Sequence, residues 1–419
     1  MEPYKEKMEN NNNKRIIPFS PPDITEVEIN YVIDALRSGW ITTGERTKLL
    51  ERRLAAYIGS NRVACLNSQT AAAELTLRLL GIGEGDEVIV PAYTYTATAA
   101  VVAHVGAKIV MIDCAPDSFE IDYDAIADAI TERTKVIIPV DLGGRLCDYD
   151  RIYAALEAKK ELYHPRNAIQ ALWDRVIVVA DSAHGMGAER GGVKSGGFAD
   201  FTTFSFHAVK CLTTGEGGAV TWLPRRGLDD DEVYRQYMLL SLHGQSKDAM
   251  HKNMHGAWEY DVLCTGYKCN MPDTLAAIGL GQLDRYAELL ERRREIVRRY
   301  DEAFLPFGIK RLEHFEPGAK TSLHLYLVRV PGIGDAERRR IIDNMANAGV
   351  ACNVHYKPLP MLTAYRDLGF DIADYPNAWR QYENEITLPL HTKLSDEDVE
   401  YIVKTFSHEL ERVSAAVRV

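Results

Sequence analysis

Hydrophobic and polar residues follow two rhythms along this chain. Short aliphatic or β-branched runs are closed by charged residues, as Val176–Val179 is by Arg175 and Asp181; strands buried on both faces of a parallel sheet read this way. Lys108–Asp113, Lys135–Val140 and Phe201–Phe206 have the same character, and a turn at Glu84–Asp86 leads into a further strand ending at Pro91. Between the runs lie stretches of helical spacing. Thr25–Ser38 opens on the capping-box pair Thr25 and Glu28, sets Ile29, Val32, Ile33 and Leu36 on one face, and stops at Gly39. Ala71–Leu80, Tyr123–Thr131, Asp148–Ala158 and Glu232–Ser241 read as further helices, and Lys159–Trp173 as a surface insertion. Such alternation predicts an α/β unit with a mainly parallel, helix-covered sheet.

The pattern changes towards the C-terminus. Asp273–Tyr300 is expected as one long amphipathic helix with Leu275, Ile278, Leu283, Leu289 and Leu290 inwards and Arg292–Glu295 on wetter turns. Beyond it, strands at Leu323–Val330 and Val350–Val354 and helices at Ala336–Ala348 and Asp396–Glu409 predict a smaller α+β domain. The expected division is 1–17 without fixed structure, 18–285 as the large domain and 286–419 as the small one.

Composition narrows the function classes. A chain of 419 residues with 46% hydrophobic content can bury one large core or two modest ones. The net charge of −11 speaks against nucleic acid as the main partner, though a local basic pocket for a diphosphate remains compatible with it. Residues 1–15 are polar and asparagine-rich without an apolar signal core, and no apolar run reaches the roughly 18 residues of a membrane span. The seven cysteines are scattered without a C-x-x-C pair, so the expectation is free thiols in a reducing cytoplasm, with neither a disulfide framework nor a metal site.

The chemistry gathers between Ala180 and Val220. One strand delivers Asp181 and His184 at its carboxyl end, and the next delivers Ser205, His207 and Lys210. Ligands of α/β sheets bind at such ends. A carboxylate suits a protonated pyridine nitrogen, an amine suits an aldehyde, and a hydroxyl beside glycine-rich backbone suits a phosphate. Together these are the needs of pyridoxal 5'-phosphate. Asn67-Ser68-Gln69-Thr70, opening a helix, adds free N–H groups and a helix dipole aimed at an anion. Taken singly, each residue also has an ordinary role: Asp181 and Ser68 as helix caps, Lys210 as a solvated surface residue. Gly187–Ser195 lacks the Gly-Lys-Ser/Thr ending of a nucleotide loop, and no G-x-G-x-x-G follows a strand convincingly, so neither an ATP nor a nicotinamide site is expected.

Asp181-Ser-Ala-His184 and Ser205-Phe-His-Ala-Val-Lys210-Cys-Leu-Thr-Thr-Gly-Glu-Gly-Gly218 resemble the DegT/DnrJ/EryC1/StrS family of nucleotide-sugar aminotransferases, and the likeness runs from about Pro18 to the last helix. The resemblance implies an aspartate-aminotransferase-like fold (fold type I) and a homodimer with shared active sites. Lys210 would anchor the cofactor covalently and act as the catalytic residue. Asp181 would face the pyridine nitrogen, His184 the phenolic oxygen, and Tyr95 would stack on the ring. Ser205, Ser68 and Thr70 would hold the phosphate, with Gln69 standing where the family usually has glycine. Gly266-Tyr-Lys268-Cys-Asn270-Met is similar to a motif that reaches the phosphate from the neighbouring subunit. Thr43, in the loop Gly39–Gly44, and the His355–Tyr356 pair would approach the sugar.

The function implied is transfer of an amino group from L-glutamate to a keto sugar on a nucleotide diphosphate, with a 4-keto-6-deoxy hexose as the commonest theme, in glycan or glycosylated-metabolite biosynthesis. The alternatives are a sugar dehydratase of the same family, which commonly carries histidine at the position of Lys210, a non-catalytic regulator, and a generic amino-acid transaminase.

Overall fold

The computed structural model describes residues 15–246 and 259–417. Seven strands form the central sheet: β1 (Val63–Leu66), β2 (Glu87–Pro91), β3 (Lys108–Ile112), β4 (Thr134–Ile137), β5 (Ile177–Asp181), β6 (Phe201–Ser205) and β7 (Gly218–Trp222). Their order is β1-β7-β6-β5-β4-β2-β3, and β7 alone runs antiparallel to its neighbours. Every residue of β5 is buried, which is why its sequence shows no alternation.

Among the described residues ten longer helices accompany the strands: α1 (Glu26–Arg37), α2 (Glu45–Ile58), α3 (Gln69–Leu79), α4 (Thr96–His104), α5 (Tyr149–Glu157), α6 (Asp230–Ser241), α7 (Asp273–Asp284), α8 (Tyr286–Phe304), α9 (Asp335–Asn347) and α10 (Asp396–Val417). Side chains of α3, α4 and α5 share one core with β2, β4 and β5. Leu50 and Leu54 of α2 share another with Phe204, Leu280 and Leu289. Ala64 and Leu66 of β1 enter the first core, Val63 and Cys65 the second, so the two cores lie on opposite faces of that end of the sheet. A third core gathers α8, α9 and α10 around a small antiparallel sheet of β8 (Lys310–Arg311), β9 (Tyr326–Arg329) and β10 (Glu385–Leu388).

Several expectations change. The helix expected over Asp273–Tyr300 is two helices, parted at Arg285, whose backbone leaves the helical region at φ −116° and whose guanidinium binds Asp23 and Glu28. Through α7 the buried residues are mostly small, including Ala276, Ala277, Gly279 and Gly281, and a Cβ on Gly281 would sit 3.0 Å from the Glu28 Cα. Backbone proximity, not a stripe of large residues, therefore seats α7 on α1. The apolar face expected on α1 is correspondingly not its buried face: Glu28 and Ala35 are buried, whereas Ile29 and Leu36 are exposed. Burial pushes the Glu28 carboxyl up, but bonds from Arg285 and Thr25 outweigh it and bring it down to about 2. Val350–Val354 forms isolated bridges instead of a strand. Arg293, expected on a wet turn, is buried and donates to the Leu390 carbonyl at 2.9 Å.

Of the segment 1–17, residues 1–14 lie outside the described residues, but Ile17 is buried in the third core and its N–H donates to Gly349 O at 2.7 Å. The loop after His243, which the family resemblance would turn towards a partner subunit, lies partly, over 247–258, outside them too. Among the described residues no helix is long and apolar enough to cross a membrane.

Candidate active site

The carboxyl ends of β1, β5 and β6 open into a cleft of about 390 Å³, lined among others by Ser68, Gln69, Thr70, Tyr95, Ser205, Lys210, His355 and Tyr356. Its floor is a narrower recess lined by Asp181, His184, Lys210 and Tyr356. Ten of the thirteen sequence-derived site residues thus meet in one place.

Asp181 is the last residue of β5 and is buried. Its carboxylate accepts from Thr98 Oγ1 at 2.7 Å and from the Ala183 N–H at 3.2 Å. Burial raises its pKa against those bonds and against the charge of Lys210. The opposing amine is shifted in turn: burial pushes Lys210 down to about 8, with Asp181 holding it up. Lys210 follows β6 in a turn closed by its own N–H to His207 O at 2.9 Å. A lysine half-neutral near pH 8 is a competent nucleophile and proton carrier.

His184 Nδ1 accepts from the Gly143 N–H at 3.1 Å, which leaves the ring hydrogen on Nε2, facing Tyr356 Oη at 3.1 Å. Burial holds this imidazole well below the usual histidine range, with the Lys210 charge adding to the effect. Tyr95 is 58% exposed at the cleft mouth, its ring 5.7 Å from that of Tyr356. An open aromatic face there suits a flat ligand.

The phosphate-suited end is built from α3. Ser68 caps it, accepting from the Ala71 N–H at 3.1 Å, and leaves the first amides of the helix without partners in the helix. Ser205 accepts from the His207 N–H at 3.3 Å, so its own hydrogen is free. Gln69 occupies its unusual position by turning its amide to Thr203 Oγ1 at 3.0 Å. A Cβ on Gly218 would lie 2.3 Å from the Gln69 nitrogen, so glycine in β7 is what lets α3 begin so close to the sheet. The donor set fits pyridoxal 5'-phosphate: free amides and hydroxyls at one end, a carboxylate at the floor, and an amine between them.

Three expected residues do not line the cleft of this chain. Thr43, Lys268 and Asn270 form a separate cluster: Lys268 Nζ donates to Asn270 Oδ1, and Asn270 Nδ2 donates to Thr43 Oγ1 at 2.6 Å. His391 lies away from the cleft as a structural residue, its Nε2 bound to the Pro18 carbonyl at 3.1 Å. Sequence reading missed Thr98, Phe19 and His324. The His324 ring lies 4.4 Å from that of His184, and Phe19 stacks on His355 at 5.5 Å. Thr98 is three residues past Tyr95, and hydroxyl spacing was its one sequence signal; Phe19 and His324 reach the cleft through tertiary packing.

The model of the DegT/DnrJ/EryC1/StrS aminotransferase family matches residues 22–407. The chain belongs to that family. It is similar to the putative sugar aminotransferase Spr1654 from Streptococcus pneumoniae, with 56% identity and a TM-score of 0.92 over 95% of this chain and 100% of that one, for a structure in the PMP form. Spr1654 is also known in a PLP form. The spore coat polysaccharide biosynthesis protein SpsC from Bacillus subtilis (strain 168) is 35% identical over 93% of this chain and 95% of its own length. The UDP-4-amino-4-deoxy-L-arabinose–oxoglutarate aminotransferase of Shewanella sediminis (strain HAW-EB3) is 33% identical over 94% of this chain and 98% of its own. The aminotransferase likeness therefore spans both the large sheet and the C-terminal core.

Proposed function

We propose that this protein moves an amino group from L-glutamate to a keto sugar carried on a nucleotide diphosphate, acting as a homodimer in the cytoplasm. It is a sugar aminotransferase, and pyridoxal 5'-phosphate is its cofactor. The observation that carries the reading is a half-neutral Lys210 and a buried Asp181 on one floor, beneath free helix amides. The cofactor supplies an electron sink and a temporary store for the amino group.

The protein's part is positioning and proton movement. Lys210 Nζ anchors the cofactor and, when free, carries a proton from the donor's α-carbon. Asp181, itself fixed by Thr98, would keep the pyridine nitrogen protonated. His184 would meet the phenolic oxygen, and Tyr95 would cover the ring. Ser68, Gln69, Thr70 and Ser205 would receive the phosphate. His355 and Tyr356 line the mouth where a sugar would sit.

Lys268, Asn270 and Thr43 are proposed to serve the cleft of a second copy, since they are assembled but lie off their own. Exposed Ile24, Val27, Ile29, Leu36 and Ile41 in the same N-terminal region support such an interface. All seven cysteines are free thiols, as suits a reducing compartment. The substrate reading draws on the oxoglutarate-linked sugar enzyme of Shewanella sediminis among the relatives. Purified protein given glutamate with a UDP- or dTDP-linked 4-keto-6-deoxy hexose should release 2-oxoglutarate and an amino sugar. Turnover with 2-keto acids alone would favour a generic amino-acid transaminase instead.

A further inference from the structure

His355 stands in the cleft wall, and its connections run away from the cleft into the C-terminal core. Its Nδ1 lies 2.9 Å from Thr387 Oγ1. Thr387 Oγ1 donates to Oε1 of Glu385 at 2.6 Å, and Oε2 of Glu385 accepts the backbone N–H of His355 at 2.9 Å. Glu385 and Thr387 are fully buried in β10. No ion pair reaches the Glu385 carboxylate among the described residues. The nearby Arg338 is committed to Asp335 and to the Tyr382 carbonyl. A buried carboxylate without a cation is costly, and such groups commonly neutralise by taking up a proton.

Thr387 has one hydroxyl hydrogen, so it can donate to Glu385 or to His355, not to both. With Glu385 ionised, Thr387 donates to the carboxylate, Nδ1 of His355 carries the ring hydrogen, and Nε2 shows the cleft a lone pair. With Glu385 protonated, the acid donates to Thr387, Thr387 donates to Nδ1, and the ring hydrogen stands on Nε2. The ring stays neutral in both states. They differ by one proton, which enters or leaves at Nε2 on the cleft side and resides on Glu385.

We propose that Glu385 is a positioning residue which, acting through Thr387, sets whether His355 shows a sugar substrate a hydrogen-bond acceptor or a donor. The proposal rests on the reading that the cleft binds a keto sugar. It deepens that reading, because a ketone oxygen accepts hydrogen bonds while a hydroxyl or ammonium donates them. One histidine with two tautomers can meet both the substrate and its aminated product.

The surroundings leave this pair free to titrate. Lys210, His184 and His324 face His355; Arg338, Tyr93, Tyr356 and Cys352 face Glu385. Burial keeps both histidines well below neutrality and the two tyrosines well above it, and pushes Cys352 up to about 12. Tyr93 is also occupied, donating to the His355 carbonyl at 2.8 Å. Burial holds Glu385 up to about 8, against bonds from Thr387 and His355 and the charge of Arg338, so both states are reachable near neutral pH. Lys210 also titrates in that range.

Glu385→Gln separates the states. A glutamine that accepts the His355 N–H through its carbonyl must turn its NH2 to Thr387, which forces Thr387 to donate to Nδ1. Long-range proton–nitrogen spectra of 15N-histidine-labelled holoenzyme, with His355 assigned by His355→Gln, read the tautomer directly. Wild type should pass from Nε2–H to Nδ1–H as pH rises through about 8. E385Q should hold Nε2–H throughout, Thr387→Val should lose the pH dependence, and Thr387→Ser should keep it. In steady state, E385Q should change KM for the sugar by about tenfold, the scale of one hydrogen bond. Its half-reaction with glutamate should remain as in wild type. A tautomer that ignores both pH and these substitutions overturns the proposal, as does an equal loss in both half-reactions. Should E385Q not fold, the Thr387 pair decides alone. If the tautomer switches but no keto sugar is aminated, the relay stands and the substrate reading fails.

Discussion

Lys210 and Asp181 are two buried charges that each shift the other. Burial favours the neutral amine, and the carboxylate favours the ammonium; burial prevails and leaves Lys210 near 8. Because the neutral amine is the nucleophile, covalent capture of pyridoxal 5'-phosphate by cofactor-free protein should accelerate through about pH 8. Asp181→Asn should move that midpoint lower, since the charge that sustains the ammonium is gone. Stopped-flow visible absorbance across pH measures both, and a midpoint at the ordinary lysine value would contradict the burial account. The stability linkage has the matching sign: a lysine lowered on folding favours the folded state above its unfolded value, and the benefit fades as pH falls through about 8. Lys210→Ala should abolish both the borohydride-trappable adduct and turnover. These residues were legible in the sequence because two strand ends, one amine and one carboxylate recur in a long, specific motif. Glu385 and Thr387 were not. They sit in Glu-Ile-Thr-Leu, an ordinary strand, and their meaning comes from His355, thirty residues away in the chain.

Among the elements, boundaries set by caps were easier to read than faces set by packing. The Thr25–Glu28 box is present as expected, with the Thr25 N–H donating to Glu28 at 2.7 Å. The buried side of α1 was not legible, because glycine and alanine in α7 approach it too closely for the usual apolar stripe. Nor was the break at Arg285, where a long-range ion pair overrides strong local helix propensity. A second long-range device holds α2. Its own cap, Gly44, offers no side chain, and the buried Asp273 substitutes for one. The Asp273 carboxylate accepts from the N–H groups of Gly44 and Thr47 at 2.8 and 2.9 Å and from Thr47 Oγ1 at 2.7 Å. Asp273→Ala should therefore cost about 3 kcal/mol, as expected when buried donors lose a charged acceptor. Asp284→Ala, which breaks half-exposed contacts to Arg53 and Tyr31, should cost no more than about 1 kcal/mol. Chemical-denaturation midpoints compare the two, and similar losses would mean that Asp273 is not the cap.

For the molecule as a whole, the parallel sheet and its separate C-terminal core follow from the alternating pattern, while the way the N-terminus ties them together does not. Ile17 crosses to the third core and pairs with Gly349 and Ala351, although the polar residues before it suggested no fixed structure. The other property of the whole is what this chain lacks by itself. Thr43, Asn270 and Lys268 are linked by hydrogen bonds, and Lys268 is exposed, yet none lines the chain's own cleft. If they complete a partner's cleft, each active site draws on two copies. Lys210→Ala removes the anchor from a chain's own site, and Lys268→Ala with Asn270→Ala removes its contribution to the partner's. Each variant alone should be inactive or severely impaired. Co-refolded in equal amounts, the two should form mixed dimers in which one site has both intact halves and the other has neither. Random pairing of a two-fold assembly then returns roughly a quarter of wild-type activity. Activity that stays at the mean of the separate variants would place Lys268 and Asn270 outside any shared site, whatever the oligomeric state.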